Sequence, residues 1–180
     1  MYTGVNNMTS QTLERLLKEG DRKTVGNVAR IVDLCGDDAE SFGALFEFLF
    51  HEESAVQMRA ADALVKLAKL YPQLLPPYKD RILDEVTLLN HQEVNWHTAQ
   101  LLGMLELSKK EAAKAMIVLK KFLTSKSSIL KTCALQGMCD IATKHTAYKK
   151  EVLQTITHAT ETGTPAMKAR GRMLLMVLKG

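Results

Sequence analysis

One pattern recurs along this chain and limits what it can fold into. A twelve-residue segment begins and ends on large apolar residues and carries small ones between them. It stands at 56–67, 94–105 and 130–141, and returns more loosely at 167–178. The leading residues Val56, Val94, Leu130 and Met167 are 38, 36 and 37 residues apart. Ala60, Ala61 and Ala63 of the first segment correspond in size to Ala99, Ala134 and Gly137 of the later ones. Small residues let neighbouring helices approach, and large ones at the ends fill the gaps. A period of this size with two helices per unit implies stacked helix pairs, an α-solenoid.

The local signals agree. Apolar residues recur at helical spacing from about residue 9 to the end, and start and stop signals divide the chain into about ten short helices. Ser10 is expected to cap a first helix through Lys18, closed by Gly20. A second is expected over 24–34, stopping at Gly36. Asp37-Asp38-Ala39-Glu40 reads as a capping box opening a third, to about Phe50. Ser54-Ala55-Val56-Gln57 reads as another, opening a fourth that ends before Pro72. Pro76-Pro77 precede a fifth over 78–89, and a sixth covers 93–107. Ser108-Lys109-Lys110-Glu111 is a third box opening the seventh; the eighth and ninth cover 128–144 and 147–160. Thr164-Pro165 places a cap residue and a first-turn proline before the last helix. With only 10 Gly and 4 Pro, and no Asn-Gly or Asp-Gly pair, no hairpin is expected. The expectation is all-α: one repeat domain over 1–180, with about five antiparallel helix pairs and residues 1–8 flexible.

These residues resemble a known family. Val56-Gln57-Met58-Arg59-Ala60-Ala61-Asp62-Ala63-Leu64 looks like the second helix of a HEAT repeat, of the armadillo-like class. Leu74-Leu75-Pro76-Pro77-Tyr78 resembles the proline-bearing start of a first helix in that family. The resemblance covers about 54–144, and the flanks by continuation. It departs after the leading residue: where HEAT units often carry Arg, this chain has Gln57, Asn95, Lys131 and Lys168. The resemblance implies a non-catalytic scaffold or adaptor that binds another protein through the concave face lined by the second helices.

Charge and cysteine content narrow the class. Formal net charge is +4 and the pI near 8.9, short of the values above about 9 that mark dedicated nucleic-acid domains. Hydrophobic residues at 46% with 24% charged argue against disorder. No apolar run approaches the ~20 residues of a membrane span, and the N-terminus lacks the regions of a signal peptide. Cys35, Cys133 and Cys139 form neither a C-x-x-C pair nor an even framework. Reduced thiols in a cytoplasmic protein are the reading.

Three rows of second-helix positions supply the candidate partner-binding residues: Gln57, Asn95, Lys131, Lys168; then Arg59, His97, Cys133, Arg170; then Asp62, Gln100, Gln136, Met173. Trp96 and Arg59 are the expected anchors, since buried aromatics and arginines dominate binding energy. Asp62, Gln100 and Gln136 would add hydrogen-bond specificity, and His97 stands beside Trp96 on the same surface. Lys131, Lys168, Arg170 and Arg172 would make the C-terminal end of the groove positive. The alternative is nucleic-acid binding through those cations. A HEAT-like alkylpurine DNA glycosylase is a remote further option, and the residue one turn after Trp96 is Gln100 rather than Asp. No nucleophile-elbow, phosphate-loop, dinucleotide or H-E-x-x-H motif is present. No catalytic residue, metal or cofactor is expected. Met173 and Met176 with Leu174, Leu175 and Val177 make the last helix apolar nearly all round, which suggests packing on a partner or a second copy. Phe42 and Phe46, four apart, are expected in the core.

Overall fold

The computed structural model describes residues 9–20 and 26–180. Residues 1–8, and the expected start of the second helix at Thr24, lie outside the described residues. Ten α-helices and no strand are present among those described. None of these helices is long and apolar enough to cross a membrane. The chain divides into two compact units, Met1–Pro77 and Tyr78–Gly180.

The first unit holds α1 (Ser10–Lys18), α2 (Val28–Cys35), α3 (Ala39–Glu47) and α4 (Ser54–Leu70). Helix α4 packs against each of the other three. Leu13, Leu16 and Leu17 of α1, Val28 and Ile31 of α2, and Phe42, Leu45 and Phe46 of α3 are all buried with Val56 and Leu64 of α4. The cap of α1 falls one residue earlier than expected: Thr9 Oγ1 accepts from the Thr12 amide at 3.2 Å. Asp38 caps α3, accepting from the Ser41 amide at 2.7 Å; the Ser41 hydroxyl, seconded by this amide, holds its carboxyl below the ordinary range. The capping box expected at Ser54 does not form. Glu53 is the cap residue there and makes no side-chain cap bond. Its carboxylate pairs with Lys18 at 3.1 Å instead, and its own amide donates to His51 Nδ1. Gly36 ends α2 at φ +50°, a conformation that favours glycine.

The second unit holds α5 (Lys79–Asp84), α6 (Gln92–Met104), α7 (Lys109–Leu123), α8 (Ser128–Lys144), α9 (Lys149–Thr162) and α10 (Pro165–Lys179). The fifth helix is shorter than expected, because the chain tightens into a 3-10 turn over Val86–Leu88. Helix α6 stops at Met104 rather than 107. Leu105 is extended, and the Lys144 ammonium donates to the carbonyls of Gly103, Met104 and Leu105 at 3.5, 3.4 and 3.1 Å. It also pairs with Glu106 at 2.8 Å, so a cation from α8 closes the negative end of α6. The expected box at Ser108 forms in both directions: the Ser108 amide donates to Glu111 Oε2 at 2.6 Å, and the Glu111 amide donates to Ser108 Oγ at 3.4 Å. Glu111 also pairs with Lys79 at 2.8 Å, and Asp84 pairs with Lys114; both tie α5 to α7.

Helix α8 is the hub, packed against α6, α7, α9 and α10. Its crossing with α6 is close enough to need glycine. A β-carbon on Gly137 would stand 2.5 Å from the Ala99 carbonyl oxygen and 3.2 Å from Leu119. One on Gly103 would stand 3.1 Å from the Gly137 α-carbon and 2.8 Å from Asp140 Oδ2.

Two predictions follow from this packing. Gly137→Ala gains up to about 1 kcal/mol of helix propensity but forces backbone apart, a cost of roughly 1–3 kcal/mol. The expected net is a lower denaturant midpoint with unchanged slope. The Lys79 ion pair, seconded by the Ser108 bonds, holds the Glu111 carboxyl down at about 2. Its contribution is therefore complete above the ordinary carboxylate range and is lost as pH falls toward about 2. Thermal melts of Glu111→Gln are expected below the parent near neutral pH and to converge with it in strong acid.

Candidate partner-binding surface

Helices α6, α8 and α10 pack in sequence, α8 touching both neighbours. Their small residues allow this: Ala99 and Gly103 meet Gly137 on one side, and Cys139 lies against Leu174 on the other, with Sγ 4.0 Å from the Leu174 carbonyl oxygen. One side of the layer carries a polar chain that crosses helices. Gln136 Nε2 donates to Asp140 Oδ1 at 2.7 Å, and Arg170 Nη1 donates to Gln136 Oε1 at 3.3 Å. Gln136 is thereby fixed from both ends, while Arg170 itself is exposed. Gln100 Nε2 donates back to the Trp96 carbonyl at 3.3 Å.

Charge is segregated. The sequence of the first unit contains eight Lys and Arg against eleven Asp and Glu; the second contains sixteen against nine. Helix α10 carries Lys168, Arg170, Arg172 and Lys179 and no acid. Lys131, Lys168 and Arg172 have no acidic partner among the described residues.

Several expected site residues are placed elsewhere. Arg59 is 1% exposed and is no surface anchor. Its Nη1 donates to the Leu17 carbonyl at 2.6 Å, in the last turn of α1. A buried guanidinium there satisfies an orphan carbonyl and faces the negative end of the helix dipole. Gly26, at φ +52°, lets the chain pass over it: a β-carbon there would stand 3.2 Å from Arg59 Nε and 2.6 Å from the Glu19 carbonyl. Asp62 is half-buried and pairs with Lys66 of its own helix at 2.9 Å. Trp96 is half-buried, on the edge of α6 that Ala99 and Gly103 turn toward α8. Its Nε1–H is buried with no acceptor. His97 is half-buried beside it. Lys168 is half-buried and Arg172 exposed, four apart on one edge of α10.

Lys131 does not share a face with Gln136. The two are five residues apart, about 140° around the helix. Lys131 lines a shallow groove of about 330 Å³ with Leu123 of α7, His158 of α9 and Met167 of α10. Asn95 lines a similar groove of about 400 Å³ with Lys121, Phe122 and Leu130. These grooves are repeat equivalents: Asn95 and Lys131 are 36 apart, and Lys121 and His158, like Leu130 and Met167, are 37 apart. Asn95 Oδ1 is buried there without a donor. The register was available from the repeat spacing. What was missed is that the first row opens toward the first helices rather than onto the opposite face.

The thiols are poor nucleophiles where they are buried. Burial, seconded by the Asp38 charge, pushes Cys35 up to about 12, and burial with Asp140 pushes Cys139 to about 11. Among the described residues no cluster of three or more His, Cys, Asp or Glu side chains is placed to hold a metal ion. Compared with known proteins, no family model matches the chain, and no curated protein or solved structure matches it.

The position of Arg59 makes a stability prediction. Arg59→Ala removes a buried charged hydrogen bond and the packing of its stem, and is expected to cost about 2–4 kcal/mol in chemical denaturation. An unchanged midpoint would contradict the structural role.

Proposed function

We propose that the chain is a HEAT-like α-solenoid serving as a non-catalytic, cytoplasmic protein-binding scaffold, and that the exposed side of α6, α8 and α10 is its binding surface. The observation that carries the reading is the Asp140–Gln136–Arg170 chain, which holds polar groups in place across two helices before any partner arrives. Side chains already ordered lose less entropy on binding, so the same contacts give more affinity. The free thiols Cys35, Cys133 and Cys139 agree with a reducing compartment. Half-buried Trp96, on the α6 edge of this surface, is its aromatic candidate, and Arg59, buried against α1, takes no part in it.

A second reading, nucleic-acid binding, is favoured by the excess of seven positive charges in the second unit. The two differ in their salt response, because each phosphate neutralised steepens the dependence on ionic strength.

The deciding experiment pairs affinity capture from cell extract with oligonucleotide anisotropy, each on the parent and on Gln136→Ala/Arg170→Ala. A protein retained by the parent and lost from a double variant of unchanged melting temperature is the expected result. Capture indifferent to the variant would remove this surface. Oligonucleotide binding that weakens steeply with salt, with no protein retained, would replace the scaffold reading by the second one.

A further inference from the structure

Exposed large apolar side chains are scattered singly over most of the described chain, as at Leu70, Leu88 and Ile117; such residues are ordinary. Helix α10 departs from this. Met173, Met176 and Val177 are 54%, 70% and 58% exposed, and they stand at i, i+3 and i+4 on one side of the helix. Ala169, also exposed, extends the stripe by a turn. The opposite side of the helix is anchored: Gly171, Leu174 and Leu178 are buried.

The edges of the stripe are basic on both sides. Lys168, Arg172 and Lys179, spaced four and seven apart, follow one edge; Arg170 stands on the other. The helix has no Asp or Glu to offset them, and Lys168, Arg172 and Lys179 have no acidic partner among the described residues. A purely apolar occupant would strip water from the neighbourhood of these cations and give nothing back. A basic occupant would be repelled. The charge pattern therefore selects an occupant with acids on both sides of an apolar strip. The available length, about 22 Å at 1.5 Å per residue, suits a helix of similar size, and two methionines give the adaptable surface that helix-in-groove docking uses.

We propose that the outer face of α10 docks an amphipathic helix of a partner protein whose apolar stripe is flanked by Asp and Glu. This rests on the scaffold reading and adds the chemistry of the partner.

The test uses the full chain and three fluorescein-labelled helical peptides with the same leucine stripe, flanked by Glu, Gln or Lys. Anisotropy is read at low and at high salt. The Glu peptide is expected to bind and the Lys peptide not. Lys168→Glu/Arg172→Glu is expected to weaken the Glu peptide at least about tenfold, chiefly at low salt, and Met176→Gln by about fivefold at either salt. Arg172 and Met176 are exposed and Lys168 is half-buried, so circular dichroism and the melting temperature are checked for each variant, and Arg172→Glu alone is expected to weaken the Glu peptide in the same direction. Equal affinity for the Glu and Lys peptides, or no binding of the Glu peptide at millimolar concentration, would overturn the proposal. So would binding that survives both variants. Two other outcomes would assign the face to a different occupant and overturn it as well. One is sedimentation with phosphatidylserine vesicles, lost in Met176→Gln, without peptide binding. The other is a dimer by light scattering that Met176→Gln dissolves. Failure here, with capture still lost in the Gln136→Ala/Arg170→Ala variant, would reject the partner class and leave the scaffold reading standing.

Discussion

The second unit depends on how closely α6 and α8 approach. At the crossing, the Gly137 α-carbon sits where a side chain on Gly103 would begin, and the Ala99 carbonyl lies where one on Gly137 would go. That proximity places Asp140 against α6, while α8 also packs on α7, α9 and α10. The Asp140 side chain itself stands against Gly103 of α6. Gln136, one turn earlier on α8, donates to Asp140 and accepts from Arg170.

A second theme is how helix ends are completed by residues from elsewhere in the chain. Arg59 reaches from α4 to the last turn of α1 across 42 residues. Lys144 reaches from α8 to three carbonyls at the end of α6. Glu111 completes its own capping box and takes Lys79 from α5. Helices this short are marginal alone, and each of these long side chains joins the end of one helix to the body of another. A side chain committed in this way is removed from the binding surface, which is why Arg59 is structural although its repeat position pointed outward.

Helical periodicity and capping chemistry made the all-helical class and many helix limits readable. Ser108, Thr164 and the limits of α8 stand where the sequence places them, because serine and threonine caps act within one turn and need no distant partner. Phe42 and Phe46 are buried as their spacing requires. Some readings failed where residues distant in the sequence meet, and others on local helix geometry. Glu53 takes the cap position before Ser54, and its carboxylate pairs with Lys18 rather than capping the helix. Helix α6 ends early because Lys144 takes its carbonyls. The alignment placed Lys131 and Gln136 in the first and third rows of one groove, but five residues turn the helix far enough to separate them.

What the sequence determined by itself is the class of structure: helices, their number among the described residues, most of their ends, and the small residues at which they meet. These are local or periodic properties, legible because a helix buries one stripe at a fixed period. Only the tertiary structure decided which polar side chains are spent inside and which remain outside. Arg59 and Lys168 are equally basic in the sequence. One is buried against a carbonyl of another helix, and the other borders an uncovered apolar stripe. The difference lies in which helix end comes within reach of each side chain, and that is a property of packing rather than of local sequence.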